Sequence, residues 1–210
     1  MSLNWAPLGD NALVLSLRPP FDHIHQRQLI WLAQQLTSDQ AIAETVPGMG
    51  NLTLVLHSPR ADMSALAEQA IQSWQKRPKT LPTGTLHRIG VRYDGPDLRY
   101  VADYCGLSEE EVIARHIAPI YDVAFVGFMP GFAYLTGMDK RLAVPRRASP
   151  RIRVQAGAVG IAGAQTGIYP RPSPGGWQVI GYTTSALFDP QQQPPALLQP
   201  GDQLQFEVLS

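Results

Sequence analysis

The chain has 210 residues, 44% of them hydrophobic and 16% charged, with 17 Lys and Arg against 17 Asp and Glu. A balanced formal charge argues against a general nucleic-acid binder, which would carry a basic excess. A single cysteine, Cys105, excludes an intrachain disulfide and a cysteine-cluster metal site.

The 18 glycines and 19 prolines imply many short elements joined by turns, which favours β structure. No apolar run approaches the roughly 20 residues of a membrane span. The opening "MSLNWAPLGDNALVLSL" has no basic n-region and no long apolar run, so it is not read as a signal peptide. A soluble cytoplasmic protein is expected.

The first predicted element is a strand in "NALVLSL", after a Gly9-Asp10 turn. In "HQRQLIWLAQQL", Leu29, Leu32, Ala33 and Leu36 fall on one helical face. "AIAETVPGMGNLTLVLH" reads as two strands joined at Pro47-Gly48, with Leu52, Leu54 and Leu56 buried. "ADMSALAEQAIQSWQ" is a second helix with a stripe of Met63, Leu66, Ala67, Ala70, Ile71 and Trp74. The order β-α-β-β-α is a split βαβ pattern of the ferredoxin-like kind. The polar "KRPKTLPTGT" then reads as a linker, giving a first domain over 1–80 and a second over 81–210.

The second domain opens with the strand "LHRIGVRYD". A short helix follows in "DLRYVADYC", capped by Asp97, with Leu98, Val101, Ala102 and Cys105 on its apolar face and Gly106 at its C-terminal end. "SEEEVIARHIA" begins with a capping box, Ser108 to Glu111. From Ile120 onward strands alternate with glycine-rich turns, and "QPGDQLQFEVL" closes the unit with Leu204, Phe206 and Val208 inward. The expected class is α+β, a small ferredoxin-like domain followed by a β-barrel carrying two helices near its start.

Charge is strongly segregated. Residues 140–188 hold no acid and seven cations, Lys140, Arg141, Arg146, Arg147, Arg151, Arg153 and Arg171. The window therefore carries +7 and the rest of the chain −7. Such segregation points to an anion site, and guanidinium forks match carboxylate or phosphate. The competing reading is a basic face that pairs with acids elsewhere in the fold.

Glycines 157, 160 and 163 could let backbone N–H groups approach an anion, or could serve tight strand packing. This Gly-rich stretch has neither a following Gly-Lys-Ser/Thr nor dinucleotide-fold spacing. Phe128, Phe132 and Tyr134 surround Pro130-Gly131 and read as pocket wall or as core. His116 lies on or beside an apolar helical face and reads as a hydrogen-bonded core residue or as a catalytic group. Cys105 reads as inert. His23 and His25, two apart on a helix, do not converge on a metal, and no metal site is expected. "QTGIYPRPSPGGW" is expected to form a long stiff loop.

The segments "YDGPDL", "GLSEEEVI", "VGFMPGFAYL", "PRRASPRIRV", "AGAVGIAGAQTGIYP" and "SPGGWQVIG" occur in this order. Together they resemble the family of the 5-oxoprolinase B subunit, also described as KipI-like or allophanate hydrolase subunit 1. The resemblance implies a cyclophilin-like β-barrel for the second domain. It implies two partners: a second cyclophilin-like protein (the C subunit of 5-oxoprolinase) and the A subunit of that enzyme. It also implies ATP, with Mg2+, used by the complex to open the lactam of 5-oxoproline to glutamate.

For that chemistry the catalytic candidates are Arg147, Gln165 and His116. The substrate- or anion-binding candidates are Arg146, Arg151, Thr166, Tyr169, Ser173, Gly175, Gly176, Trp177, Phe128 and Phe132. Related activities implied by the same resemblance are inhibition of a sensor histidine kinase and biotin-dependent carboxyl transfer to urea. A prolyl isomerase is a further reading on fold analogy alone. The sequence departs from the family pattern at Gln155, Ala158 and Tyr182, where proline, serine and arginine are usual; the last removes a cation beside the proline-rich segment.

Overall fold

A computed structural model describes residues 1–59 and 63–209 and divides the chain into two compact units, Met1–Pro82 and Thr83–Ser210. The first two residues of the predicted helix "ADMSALAEQAIQSWQ" lie outside the described residues.

The first unit contains β1 (Leu3–Leu8), β2 (Ala12–Leu17), α1 (His23–Leu36), β3 (Ile42–Gly48), β4 (Asn51–Leu56) and α2 (Ser64–Gln75). Its sheet is antiparallel with order β1-β2-β4-β3. Counting from β2, the β-α-β-β-α order holds. The slot that a strand after α2 would fill in a ferredoxin-like sheet is taken instead by β1, from the other end of the unit. β1 is missing from the sequence reading because it carries no alternation: only Leu3 is buried, and Pro7 sits within it. The helical stripes pack as expected, with Leu29 and Leu32 fully buried and Trp74 almost so. The indole N–H of Trp74 donates to the Met1 carbonyl at 2.9 Å. The β3–β4 turn falls at Met49-Gly50, not Pro47-Gly48, because β3 stays paired through Gly48 and the left-handed conformation needed for reversal is at Gly50 (φ 69°).

The second unit contains β5 (Leu86–Val91), α3 (Leu98–Cys105), α4 (Glu109–Ile117), β6 (Tyr121–Val126), β7 (Ala133–Thr136), β8 (Arg151–Val154), β9 (Ala158–Ala162), β10 (Gln165–Ile168), β11 (Ser173–Gly175), β12 (Gln178–Tyr182) and β13 (Gln203–Val208). Seven strands run in the order β12-β9-β10-β7-β6-β13-β5. The two ends of that order meet: Arg92 and Tyr182 exchange backbone hydrogen bonds of 2.9 and 2.8 Å, so the sheet is nearly closed. The seam demands glycine. A Cβ on Gly95 would lie 2.3 Å from the Ile180 carbonyl carbon, and one on Gly181 would lie 2.6 Å from the Arg92 oxygen. β8 and β11 form a separate two-stranded ribbon.

Within the barrel, Val91, Val112, Tyr121, Val159, Ile161, Leu204 and Phe206 are among the buried core residues. β9 is buried along its whole length, because Val159 and Ile161 enter this core while Ala158 and Ala162 enter another, with Phe132, Val154, Tyr169, Trp177 and Val179. The capping box of α4 is formed, with the Glu111 N–H donating to Ser108 Oγ at 3.2 Å and the Ser108 N–H to Glu111 Oε2 at 2.8 Å. Two expectations are corrected. Val208 is 53% exposed, since β13 has by then run past its pairing with β6. Asp97 starts α3 but makes no side-chain cap, because its carboxylate is engaged elsewhere.

Candidate functional site

The stretch "QTGIYPRPSPGGW" is not one long loop. Gln165–Ile168 is β10 and Ser173–Gly175 is β11, so only the four residues between them form an irregular link, with Trp177 beyond. Its prolines sit outside the barrel ladder, where a missing N–H costs no sheet hydrogen bond. Gly175 is required by packing: the phenol oxygen of Tyr169 lies 2.5 Å from where its Cβ would be. Gly176 presents its carbonyl to the Arg147 N–H at 2.8 Å, and the Gln178 side chain donates to the Pro145 carbonyl at 3.0 Å. These two bonds tie the segment around Arg147 to the start of β12.

The centre of the arrangement is Asp97, only 4% exposed. Its carboxylate accepts from Arg147 Nη1 at 3.0 Å, from Arg151 Nη1 and Nη2 at 2.7 and 2.8 Å, and from the Val179 N–H at 2.7 Å. The hydrogen bonds to Asp97 raise the pKa of Arg151 further. One carboxylate thus holds two guanidiniums, and the cluster keeps a formal charge of +1. Arg147 and Arg151 remain 34% and 24% exposed, and Nε of Arg147 is buried without a hydrogen-bond partner. Of the two readings of the cationic window, these two arginines follow the one in which cations pair with an acid from elsewhere in the fold, while keeping partly exposed edges. Arg146, Arg153 and Arg171 are exposed and have no carboxylate within ion-pair distance among the described residues.

Beside the cluster lies an aromatic layer. The Phe132 ring meets those of Tyr169 and Trp177 edge-on at 5.3 and 5.5 Å, and Tyr134 meets Trp177 at 5.8 Å. Burial raises the Tyr169 phenol pKa, while the Trp177 N–H and the charges of Arg146 and Arg151 oppose the shift. Arg146 likewise opposes the burial-driven rise at Tyr134, which places its charge near both rings. Phe128 caps the layer, edge-on to Phe132 and Tyr169, and is 61% exposed. It has φ 67° and sits inside a turn closed by the Met129 N–H on the Gly127 carbonyl at 2.7 Å. A left-handed phenylalanine is strained backbone, held here by its surroundings.

The predicted residues therefore separate into an accessible and an inaccessible set. Arg146, Arg147, Arg151, Gln165, Ser173, Gly175, Gly176 and Phe128 reach the surface to some degree; Phe132, Thr166, Tyr169 and Trp177 are core. The Gln165 side chain has no hydrogen-bond partner among the described residues, and Ser173 Oγ donates only to its neighbour, the Pro174 carbonyl, at 3.1 Å. Gly157 and Gly160 serve close packing, where a Cβ would lie 2.0 Å from the Thr183 oxygen and 3.1 Å from the Trp177 Cβ respectively, whereas Gly163 has open space around it and supplies the left-handed turn after β9 (φ 57°).

His116 is fully buried inside the barrel. Nδ1 faces the Tyr93 hydroxyl at 2.7 Å and Nε2 faces Thr166 Oγ1 at 3.0 Å; that hydroxyl in turn donates to the Gly160 carbonyl at 2.9 Å. With the Thr166 proton committed to Gly160, the consistent assignment has Nε2–H donating to Thr166 and Tyr93 donating to Nδ1. The ring stacks on Phe206 at 4.5 Å, and burial pushes its pKa down to about 3. The geometry gives His116 a structural role, with both nitrogens engaged and no surface access. A concavity of about 490 Å³ beside α4 is lined by Glu111, Ala114, Arg115, Ala118, Pro119, Gly137 and Asp139, and none of the predicted site residues reaches it.

The sequence reading missed Asp97 and Tyr93 as functional or network residues. For Asp97 a signal existed: an all-cation window needs counter-charge, and Asp97 is an acid inside the "YDGPDL" segment.

A family model for the carboxyltransferase domain, subdomain C and D, matches residues 3–198. The 5-oxoprolinase B subunit of Escherichia coli O157:H7 is 44% identical over 203 residues, covering 95% of this chain and 93% of that protein. The 5-oxoprolinase B subunit of Haemophilus influenzae is 46% identical over 209 residues, covering 98% of each. Among solved structures, TTHA0988 superposes with a TM-score of 0.80 at 37% identity; the match covers 95% of this chain and 40% of that one. No helix among the described residues is long and apolar enough to cross a membrane. With matches of this identity along nearly its whole length, the chain belongs to the family of 5-oxoprolinase B subunits, built on the carboxyltransferase domain, subdomain C and D.

Proposed function

We propose that this chain is one component of a cytoplasmic, ATP-dependent 5-oxoprolinase that hydrolyses 5-oxo-L-proline to L-glutamate, and that it is inactive alone. The partners are a second cyclophilin-like protein, the C subunit of the enzyme, together with its A subunit. The observation that carries the reading is the end-to-end similarity to proteins named as B subunits of 5-oxoprolinase, joined to a guanidinium cluster suited to an oxyanion.

A lactam is a poor electrophile. ATP, when the complex binds it with Mg2+, supplies the activation by transferring a phosphoryl group to the lactam oxygen. Water would then add to the carbonyl carbon, the ring C–N bond would break as the nitrogen takes a proton, and a second water would hydrolyse the acyl phosphate so formed, leaving glutamate, phosphate and the ADP of the first transfer. This chain's part is to hold negative charge: the exposed edges of Arg147 and Arg151 and the unpaired Arg146 face the substrate carboxylate or the developing oxyanion. Phe128 offers a flat apolar face beside them, and Gln165 adds an amide. Among the described residues no group of three His, Cys, Asp or Glu side chains converges on a metal position, and no residue of this chain is assigned to the Mg2+.

The test is glutamate release from 5-oxoproline and ATP, with this chain alone and then with the A and C subunits. Release only from the mixture is expected, and Arg147→Ala or Gln165→Ala should lower it without unfolding this chain. No release from any mixture of folded, associated proteins would reject the reading and favour biotin-linked carboxyl transfer or kinase inhibition.

A further inference from the structure

We infer that Asp97 is a positioning residue of the anion site: it locks the guanidiniums of Arg147 and Arg151 side by side and leaves the pair a single positive charge, which fits a carboxylate. The inference rests on the function proposed above and names the substrate group that this cluster holds.

The four donors on Asp97 come from three separate places in the chain. Val179 belongs to β12, Arg151 to β8, and Arg147 to the segment tied to Gly176. A staple between the start of α3 and β12 would need the Val179 N–H alone. The neighbouring backbone already supplies two more bonds there, from the Gly95 N–H to the Ile180 carbonyl at 3.1 Å and from the Asp97 N–H to the Val179 carbonyl at 2.9 Å. The guanidiniums are surplus to that staple. Two such cations repel each other and, without a shared carboxylate between them, would swing apart toward water.

Held by Asp97, each presents a partly exposed edge in a fixed direction. A preorganised donor set loses little conformational entropy on binding. The carboxylate also sets the charge. Two guanidiniums alone would offer +2, and +3 with the exposed Arg146, which acts on Tyr169 as Arg151 does, and this favours a polyphosphate; with Asp97 the pair offers +1, the complement of one carboxylate, and Arg146 is left for the developing oxyanion. Tyr182, close enough to Arg151 to act on its charge, adds no cation of its own.

The test combines spectroscopy and kinetics. Arginine Nε–Hε signals of the full chain are followed by NMR during titration with 5-oxoproline and, separately, with inorganic phosphate. In the wild type, the Arg147 and Arg151 signals should be resolved and should move saturably. In Asp97→Asn they should collapse toward the solvent-averaged position, with affinity for 5-oxoproline falling at least about tenfold, the scale of losing one charge-assisted contact. In the assembled enzyme the same variant should raise KM for 5-oxoproline by a similar factor and leave KM for ATP within about twofold; a purely structural residue would not separate the two.

Should Asp97→Asn fail to fold, Arg151→Lys keeps the charge, loses the fork and should raise the same KM. A folded Asp97→Asn or Arg151→Lys complex with an unchanged KM for 5-oxoproline overturns the inference. If the wild-type complex does not turn over 5-oxoproline, the proposed function falls by itself. Acetate, a bare carboxylate, then decides the positioning role: Arg147 and Arg151 signals that ignore it overturn that role as well.

Discussion

The barrel seam and the barrel interior each contain a buried polar hub, and the two follow opposite rules. At the seam, Asp97 is charged and answered by two cations whose outer edges reach the surface. In the interior, the fully buried His116 is kept neutral and sits in a chain of uncharged groups, the partly buried Tyr93, the buried Thr166 and the Gly160 carbonyl. Burial of a lone charge is costly, so an interior hub is stable only if neutral and fully hydrogen-bonded. A hub with surplus charge must sit where solvent or ligand can reach it. A titratable residue type is therefore a weak guide to chemistry; the sign of the surrounding charge and the exposed donors decide.

Several measurements would sharpen or break that contrast. Asp97→Ala strands the buried Val179 N–H and releases two partly exposed guanidiniums toward water, and should cost about 3 kcal/mol of stability in chemical denaturation, the low end for a broken buried pair. A loss under about 1 kcal/mol would mean that the seam hub is loosely held. His116→Leu strands the Tyr93 hydroxyl and weakens Thr166, for a cost of about 2–3 kcal/mol with little effect on anion binding. A loss of anion binding in a folded His116→Leu protein would contradict the division between the two hubs.

The histidine also gives a pH signature. Its folded pKa, about 3, lies below the unfolded value near 6.5, so the unfolded chain binds the extra proton. The stabilisation is complete above about pH 6.5 and is lost as pH falls toward 3, at up to about 1.4 kcal/mol per unit. Urea midpoints between about pH 7 and pH 4.5 should show this slope in the wild type and a shallower one in His116→Gln. Equal slopes would remove His116 as its source. The smallest effect belongs to Ile152, 93% exposed on the ribbon: Ile152→Ser should change the isolated chain's stability by less than about 0.5 kcal/mol.

Periodic elements were legible because burial imposes the period. The stripes Leu29–Leu36 and Leu52–Leu56, the α4 capping box and the left-handed Gly106 all follow from local sequence. What was not legible depended on non-local pairing. β1 has one buried residue and gains its status from β2. The proline-rich segment looked like loop, yet Ser173 and Gly175 pair with Val154 and Arg151. The anion candidates were half legible: the cations stood out, but the acid that organises two of them lies 50 and 54 residues away and resembled an ordinary helix cap. Gly95 and Gly181 carried no visible reason until the seam brought their backbones together.

The parallel pairing of β5 with β13, from Leu86↔Gln203 to Val91↔Val208, has a consequence for how the protein is made. These partners are 117 residues apart, so joining them is among the most non-local steps available to the unit. Such long loops are entropically expensive to close and slow folding. The hydrophobic core of the first unit draws on residues between Leu3 and Trp74, so its parts are all synthesised while the ribosome is still translating the barrel. The barrel strands that emerge early must wait, edges open, until β13 arrives. That interval is when the second unit is most exposed to misassociation, and a chaperone that shields open strand edges would have its greatest effect there.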